Sequence, residues 1–508
     1  MLARLRSAAV VGVDAQIVVV EVDVAHGIPS FTMVGLPDAS VRESRDRVKS
    51  AIKNTGLTYP SARITVNLAP ADIRKVGSAF DLPIALGILC AAGALPPAAI
   101  DEVVVVGELS LDGGIHSTRG VLPLAVTTRR EGLRALLVPS RNAPEAALVD
   151  QLDVWPIDHL REALDAASTG GFASYRPRPL AVGPADPASP DFSDVRGQVF
   201  PRRALEIAAA GSHHVLLSGP PGSGKTLLAR RLPGILPPLT FDEALEVTAI
   251  HSVAGLLPRE GLVSHRPFRA PHHTISDVAL VGGGAQPRPG EISLAHHGVL
   301  FLDETPEFDR RVLDVLRQPL EEGQVRIARA SRTVAFPARF QLVAAMNPCP
   351  CGFLTDPVKP CTCSAQQVHR YRHRMSGPLR DRIDLSVEVP PVPIEHLTSE
   401  GAAEASAVIA ARVVAARDRQ RARYTTTAGI RTNGEAPASW FRTPAHLAAD
   451  ARRLLEQAAV RQSWSARVFD RVLKVARTVA DLSGHDRIEA EHVAEAVQFR
   501  TGDLRPAA

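Results

Sequence analysis

Gly219, Pro220, Pro221, Gly222, Ser223, Gly224, Lys225 and Thr226 spell G-x-x-x-x-G-K-[ST]. Glycines in such a loop let backbone N–H groups wrap phosphate oxygens at a helix N-terminus. The lysine reaches the β- and γ-phosphates, and the hydroxyl after it ligates Mg²⁺. The flanks suit this chemistry: residues 214–218 are a strand-like apolar run and 227–232 begin a helix. The pattern predicts an ATP site, with Mg²⁺ on Thr226. Further along, residues 299–304 form a second apolar run that ends in Asp303 and Glu304. A parallel strand buried on both faces needs such a run. It would deliver Asp303 to the Mg²⁺ and Glu304 to an attacking water. A third run, 343–347, ends in Asn347. Asn347 either orients that water beside the γ-phosphate or serves as a turn residue before Pro348.

Two other clusters carry chemistry. Cys349 and Cys351, then Cys361 and Cys363, form C-x-C pairs nine residues apart. Four thiolates this close suit a tetrahedral structural zinc with no open position for catalysis. A disulfide pair is the rival, disfavoured in a reducing compartment. Cys90 sits in an apolar helix and reads as core. Residues 324–329 and 332–336 read as a hairpin, with Arg326, Arg329 and Arg332 toward its tip. These arginines either grip a nucleic-acid backbone, or face solvent, or pair with acids of a neighbouring subunit. The histidine pairs 213/214, 272/273 and 296/297 lack the i, i+4 spacing of helical metal ligands and read as hydrogen-bonding residues.

Several elements must position these groups. Residues 1–172 alternate strands (17–24, 63–68, 103–106) with helices (39–55, 83–92), an α/β or α+β domain. Residues 173–190 are proline-rich and aperiodic, a linker. A second α/β region spans 191–393. Residues 394–508 are rich in Ala, Arg and Glu, with helices expected over 402–424, 444–459, 466–482 and 489–499. Three domains fit a chain of 508 residues. Apolar residues at 45% and charged residues at 22% exclude a wholly disordered chain. A net charge of +4 is too small to argue for nucleic-acid binding, so any basic surface is local. Five cysteines exclude a disulfide scaffold. No apolar run reaches the ~18 residues of a membrane span. Arg4 and Arg6 precede an apolar stretch, but Asp14 ends it without a cleavage site, so a cytoplasmic location is expected.

The nucleotide motifs together resemble an AAA+ ATPase. Residues 287–304, 347–352, 376–385 and 465–482 narrow this to the magnesium-chelatase-like AAA+ ATPases of the YifB/ComM family, as does the opening stretch at 12–52. The resemblance covers essentially the whole chain. It implies that Arg382 is an arginine finger for the nucleotide of a neighbouring subunit, and that Arg467 is an arginine of a C-terminal helical lid sensing the same phosphate. A planar guanidinium suits the spread charge of a transferring phosphoryl group. Read alone, each arginine fits an ordinary surface ion pair. The family usually has Leu at position 380, and this chain has Arg380. A finger supplied in trans implies a ring, typically a hexamer. Within the clade the hairpin at 324–336 and the insert at 266–290 point toward the ring's pore.

Residues 75–81 and 107–113 also resemble the Lon protease domain. Lon's serine position falls on Ala79, beside Ser78, and its lysine position on Leu122. The fold is therefore expected without the peptidase. Taken together, the expected architecture is a protease-inactive Lon-like α+β domain, an AAA+ P-loop core of the magnesium-chelatase clade and a C-terminal helical lid. The resemblance implies an ATP-driven helicase promoting DNA branch migration in recombination and natural transformation. Two other functions stay open: the motor of a magnesium-chelatase-type metal-insertion complex, and an ATP-dependent chaperone-like remodeller.

Overall fold

The computed structural model describes residues 1–169, 171–176, 190–258, 261–284, 287–329, 332–393, 395, 403–427 and 429–500. Most of the expected linker, 177–189, lies outside the described residues, as do Ala330 and Ser331 and the side chains of Arg329 and Arg332. Among the described residues no helix is long and apolar enough to cross a membrane.

The N-terminal region is built on a seven-stranded mixed sheet. Its strands are β1 (Leu2–Val11), β2 (Asp14–Ala25), β3 (Ser30–Val34), β4 (Arg63–Ala69), β5 (Val103–Val105), β6 (Ala135–Pro139) and β7 (Asp153–Ile157), in the order β3-β4-β2-β1-β5-β6-β7. Alternation along β2 buries Val18, Val20 and Val22. The helix Asp81–Ala91, every residue of which is buried, lies over this sheet. Gly87 permits the close approach, since a Cβ there would come within 2.6 Å of Val22 Cγ2. The helix Ala39–Asn54 is capped by Asp38, whose carboxylate accepts from the Val41 amide at 2.9 Å.

The second region has a five-stranded, wholly parallel sheet. Its strands are β8 (Val215–Ser218), β9 (Phe268–Arg269), β10 (Val299–Leu302), β13 (Gln341–Met346) and β14 (Leu385–Glu388), ordered β9-β10-β13-β8-β14. The residues of β10 and β13 are all buried, as burial on both faces demands. Between them β11 (Gln324–Arg329) and β12 (Arg332–Pro337) form an antiparallel hairpin. Val325, Ile327, Val334 and Phe336 turn its apolar face onto the domain, and Arg326 is exposed.

The C-terminal helices Ser406–Tyr424, Ala449–Arg461, Ala466–Leu482 and Ala490–Gln498 do not pack separately. Ile409, Val413, Val472 and Val475 share one core with Val215, Val299, Val343 and Leu385 of the sheet. The largest departures from the expected boundaries are at two helix starts. The first helix is described from Ser406, whose amide and hydroxyl bond to Asp191 and to the Phe192 amide. The second starts at Ala449 rather than 444, because Leu447 is held in a β-bridge to Ile488 just before it. Helical periodicity cannot see such a long-range bridge.

The two α/β regions touch directly. Leu122 and Leu148 pack against Leu239, Ala244 and Leu262. Beside them the buried Glu145 carboxylate accepts from the Leu122 amide at 2.7 Å and from the Ser252 hydroxyl.

Candidate nucleotide site

Three of the parallel strands, β8, β10 and β13, end at one place, and each delivers a polar group there. After β8 the chain turns sharply, with Gly222 and Gly224 at φ +79° and +93°, into the helix Lys225–Arg231. The first glycine, Gly219, is needed for space: a Cβ would lie 2.1 Å from the Val389 carbonyl oxygen. Lys225 Nζ donates to the carbonyls of Gly219 (2.8 Å) and Pro220 (2.9 Å) and to Asn347 Oδ1 (3.2 Å). That uses all the donors of an ammonium. Burial lowers the Lys225 pKa, and Asp303 and Glu304 oppose the shift. Thr226 Oγ1 donates to Asp303 Oδ2 at 2.7 Å. So Lys225, Thr226, Asp303 and Asn347, drawn from three strand ends, form one hydrogen-bonded group. The Ser223 hydroxyl, buried in the loop, has no hydrogen-bond partner among the described residues.

Glu304 follows Asp303 in a left-handed conformation, φ +49°. A non-glycine residue there costs on the order of 1 kcal/mol and persists only where its surroundings enforce it. Here the Thr305 hydroxyl pins the turn by donating to the carbonyls of Leu302 and Ala345. The bend leaves the Glu304 side chain exposed.

These donors fit the group that the family implies. Thr226 and Asp303 would hold Mg²⁺, which neutralises phosphate charge. Phosphate oxygens would replace the carbonyls and the Asn347 oxygen as acceptors for Lys225.

The cysteine loop leaves β13 directly after Asn347. Sγ–Sγ separations are 3.3 Å (Cys349–Cys351), 3.6 Å (Cys349–Cys361) and 3.5 Å (Cys351–Cys361). Sulfurs on a tetrahedral zinc with Zn–S near 2.3 Å stand about 3.8 Å apart, so the set is close to a ligand cage. Backbone amides of Cys351 and Cys363 donate to the sulfurs of Cys363 and Cys361. The same loop packs on the phosphate loop: a Cβ at Gly352 would lie 2.6 Å from Pro221 Cδ.

The two arginines lie apart from these groups. Arg382 is buried, paired with Glu321 and donating to the Pro378 carbonyl at 2.6 Å. Arg380 donates to the Arg372 carbonyl. Arg467 is exposed at the start of the helix Ala466–Leu482, with no ion pair or hydrogen bond to another side chain among the described residues. One turn on, Arg471 pairs with Asp384, whose other oxygen accepts from the His214 amide at 2.8 Å. Burial pushes the Asp384 pKa up, but Arg471 and His213 outweigh it and hold it well below the usual carboxylate range. Sequence reasoning missed this link, along with Gln198, whose side-chain amide donates to the carbonyls of Ser223 and Pro390. Asp384 and Arg471 lie in two separate family motifs and Gln198 in none, and these contacts join residues 25 to 192 positions apart. Of the hairpin arginines, Arg326 lies 3.6 Å from Glu322.

Of the paired histidines, His213, His214, His272, His296 and His297 make side-chain hydrogen bonds. His296 Nδ1 accepts from the Arg339 amide at 2.9 Å, so its Nε2 carries the proton given to Glu246. In the N-terminal region Ser78 donates to Glu108, and Leu122 is fully buried against the neighbouring region.

Family models match three stretches: magnesium chelatase, subunit ChlI, at 191–397; subunit ChlI of Mg-chelatase at 20–142; and magnesium chelatase, subunit ChlI C-terminal, at 403–500. An uncharacterized protein YifB of Salmonella typhimurium is 45% identical over 505 residues, covering 99% of this chain and 97% of its own. The competence protein ComM of Haemophilus influenzae is 44% identical over 503 residues, 98% of this chain and 97% of its own. The magnesium-chelatase 38 kDa subunit of Cereibacter sphaeroides is 26% identical over 174 residues, 31% of this chain and 52% of its own.

Proposed function

Because the chain belongs to the YifB/ComM family of magnesium-chelatase-like AAA+ ATPases, we propose that it is a ring-forming motor that hydrolyses ATP to move DNA strands. The specific activity is branch migration of recombining DNA, as in natural transformation. The observation that carries this reading is full-length likeness to a protein named for competence, joined to an arginine-bearing hairpin set between β10 and β13. The 38 kDa magnesium-chelatase subunit of Cereibacter sphaeroides aligns with 31% of the chain and ComM with 98%, so the DNA reading is preferred to metal insertion.

In this reading Lys225 and the loop amides from Gly219 to Thr226 bind the phosphates. Thr226 and Asp303 hold Mg²⁺, Glu304 activates water and Asn347 orients it. Arg382 acts on a neighbouring subunit's nucleotide within a hexameric ring, and Arg467 of a helical lid acts on the same phosphate. Arg326, Arg329 and Arg332 contact the DNA backbone. The N-terminal region is a Lon-like platform without peptidase chemistry, since a leucine stands at the lysine position. Cys349, Cys351, Cys361 and Cys363 hold a structural zinc that braces the phosphate loop through Gly352. The protein works in the cytoplasm.

The test is strand exchange on a labelled, mobile three-stranded or four-way DNA junction with Mg-ATP. Wild type resolves the junction and Lys225→Ala does not. A junction that stays intact, with ATPase activity indifferent to DNA, overturns the reading. Metal analysis of the purified chain should give one zinc per subunit, and Cys361→Ser should lose it.

A further inference from the structure

The candidate finger is not free. The Arg382 side chain is 10% exposed and paired with Glu321, which is 54% exposed. Its Nη1 donates to Pro378, and its Nε has no acceptor among the described residues. The guanidinium is thus held but incompletely satisfied. Glu321 occupies a telling place. It lies in the last turn of the short helix Arg317–Glu322, Gly323 turns the chain at φ +65°, and β11 starts at Gln324. The Ala338 amide donates to the Gly323 carbonyl at 2.8 Å and closes the base of the hairpin. A second clamp joins the same two segments. Arg317 donates to Ser376 Oγ at 2.9 Å, and Ser376 donates to Asp314 at 3.2 Å. Ser376 opens the helical turn Gly377–Arg380 that leads to Arg382.

We propose that Glu321 is a positioning residue that parks Arg382 in its own subunit and ties it to the hairpin base, so that recruiting Arg382 to a neighbour's nucleotide releases the hairpin. The inference rests on the reading of Arg382 as a finger. The pair is suited to a switch. A half-exposed carboxylate is screened by solvent and holds its partner weakly. A terminal phosphate offers several acceptor oxygens and more charge, so it outcompetes one carboxylate for a bidentate guanidinium. Nucleotide occupancy in one subunit would then be felt at the pore-facing element of the next. The hairpin would pass it on to the N-terminal region, because a Cβ at Gly12 would lie 2.7 Å from Val334 Cγ1.

The test uses the full chain, ATPase assays with and without single-stranded DNA, and hydrogen exchange at the hairpin amides. Glu321→Gln removes the parking charge. DNA-free hydrolysis is expected to rise about fivefold, the factor a partly exposed charged pair is worth, and hairpin exchange to quicken without nucleotide. Glu321→Asp should restore the wild-type pattern. Arg382→Ala should be inactive, and Glu321→Gln/Arg382→Ala equally so, which routes the effect through Arg382. If Arg382→Ala is inactive but Glu321→Gln matches wild type or is slower, this inference falls and the finger stands. If Arg382→Ala is fully active, the finger reading falls. Should Glu321→Gln fail to fold, wild type decides. Its hairpin amides must exchange faster with ADP–beryllium fluoride than without it, and equal protection overturns the proposal.

Discussion

Positions 225 and 122 make a useful pair. At 225 a lysine is the centre of a polar group closed by three strand ends, each contributing an acceptor or a hydroxyl. At 122, where the resemblance to Lon puts a lysine, a leucine lies 1% exposed in an apolar contact between two regions. Both positions sit near the start of a helix over a sheet. The surroundings decide which side chain is tolerated. Lys225 has carbonyls, an amide oxygen and two nearby carboxylates, so its charge is compensated although burial opposes it. Beside Leu122 the buried Glu145 is already committed to the Leu122 amide, Ser252 and Asn142. The lesson is that the surroundings of a helix start decide whether it holds a compensated charge or an apolar contact between regions.

Exchanging the two residue types breaks the comparison most directly. Lys225→Leu should lower ATP hydrolysis by at least about 10³-fold, since the charge nearest the transferring phosphoryl group is gone. Its thermal melting should stay close to wild type. Hydrolysis that survives this change would move the nucleotide site elsewhere. Leu122→Lys should do the reverse. It buries an unpaired ammonium at a cost of about 3–5 kcal/mol, read as a lower denaturant midpoint for the first unfolding transition. ATP binding by whatever stays folded should persist. An unshifted midpoint would mean that position 122 reaches solvent.

The next effect tests how the C-terminal helices are tied to the sheet. Asp384→Asn leaves the half-buried Arg471 without its counter-charge and should cost about 2 kcal/mol, the worth of a charged hydrogen bond. The pH dependence has a definite sign. The folded-state pKa of Asp384 is depressed, so its contribution is present above the unfolded value of about 3.9 and is lost as pH falls through the lower folded value. Wild type should therefore lose stability more steeply than Asp384→Asn below about pH 4. Parallel acid-unfolding curves would show that the pair carries no net stability.

How much of this was legible in sequence follows from the range of each interaction. The phosphate loop is a local signal, because eight consecutive residues set both the turn and the donors. The hairpin was legible because strand alternation is local too. The family was recognisable from long motifs in order, and full-length relatives place the chain in it. By contrast, the Arg382–Glu321 pair spans 61 residues, Gly352 on Pro221 joins two loops, and Asp384–Arg471 spans 87. No periodicity encodes such contacts. The start of the helix at Ala449 was misread for the same reason, since its boundary is set by Ile488.

The smallest expected effect sharpens the comparison from the other side, at the buried carboxylate beside Leu122. Glu145 is 3% exposed, and burial raises its pKa, although Ser252, the Leu122 amide and Asn142 pull it down. For an acid with a raised folded value, the stabilising form is the protonated one. Its contribution is complete below the unfolded value of about 4.3 and declines as pH rises through the folded value. Glu145→Gln keeps an oxygen to accept from Leu122 and Ser252 and removes the charge. It turns an NH₂ toward Asn142 Nδ2, 3.3 Å from the oxygen it replaces, which costs about 1 kcal/mol at every pH. The stability gap between wild type and variant, read from melting curves, should therefore narrow as pH rises from 5 to 8. A constant offset across that range would show that Glu145 titrates as an ordinary carboxylate, and that the contact around Leu122 admits water.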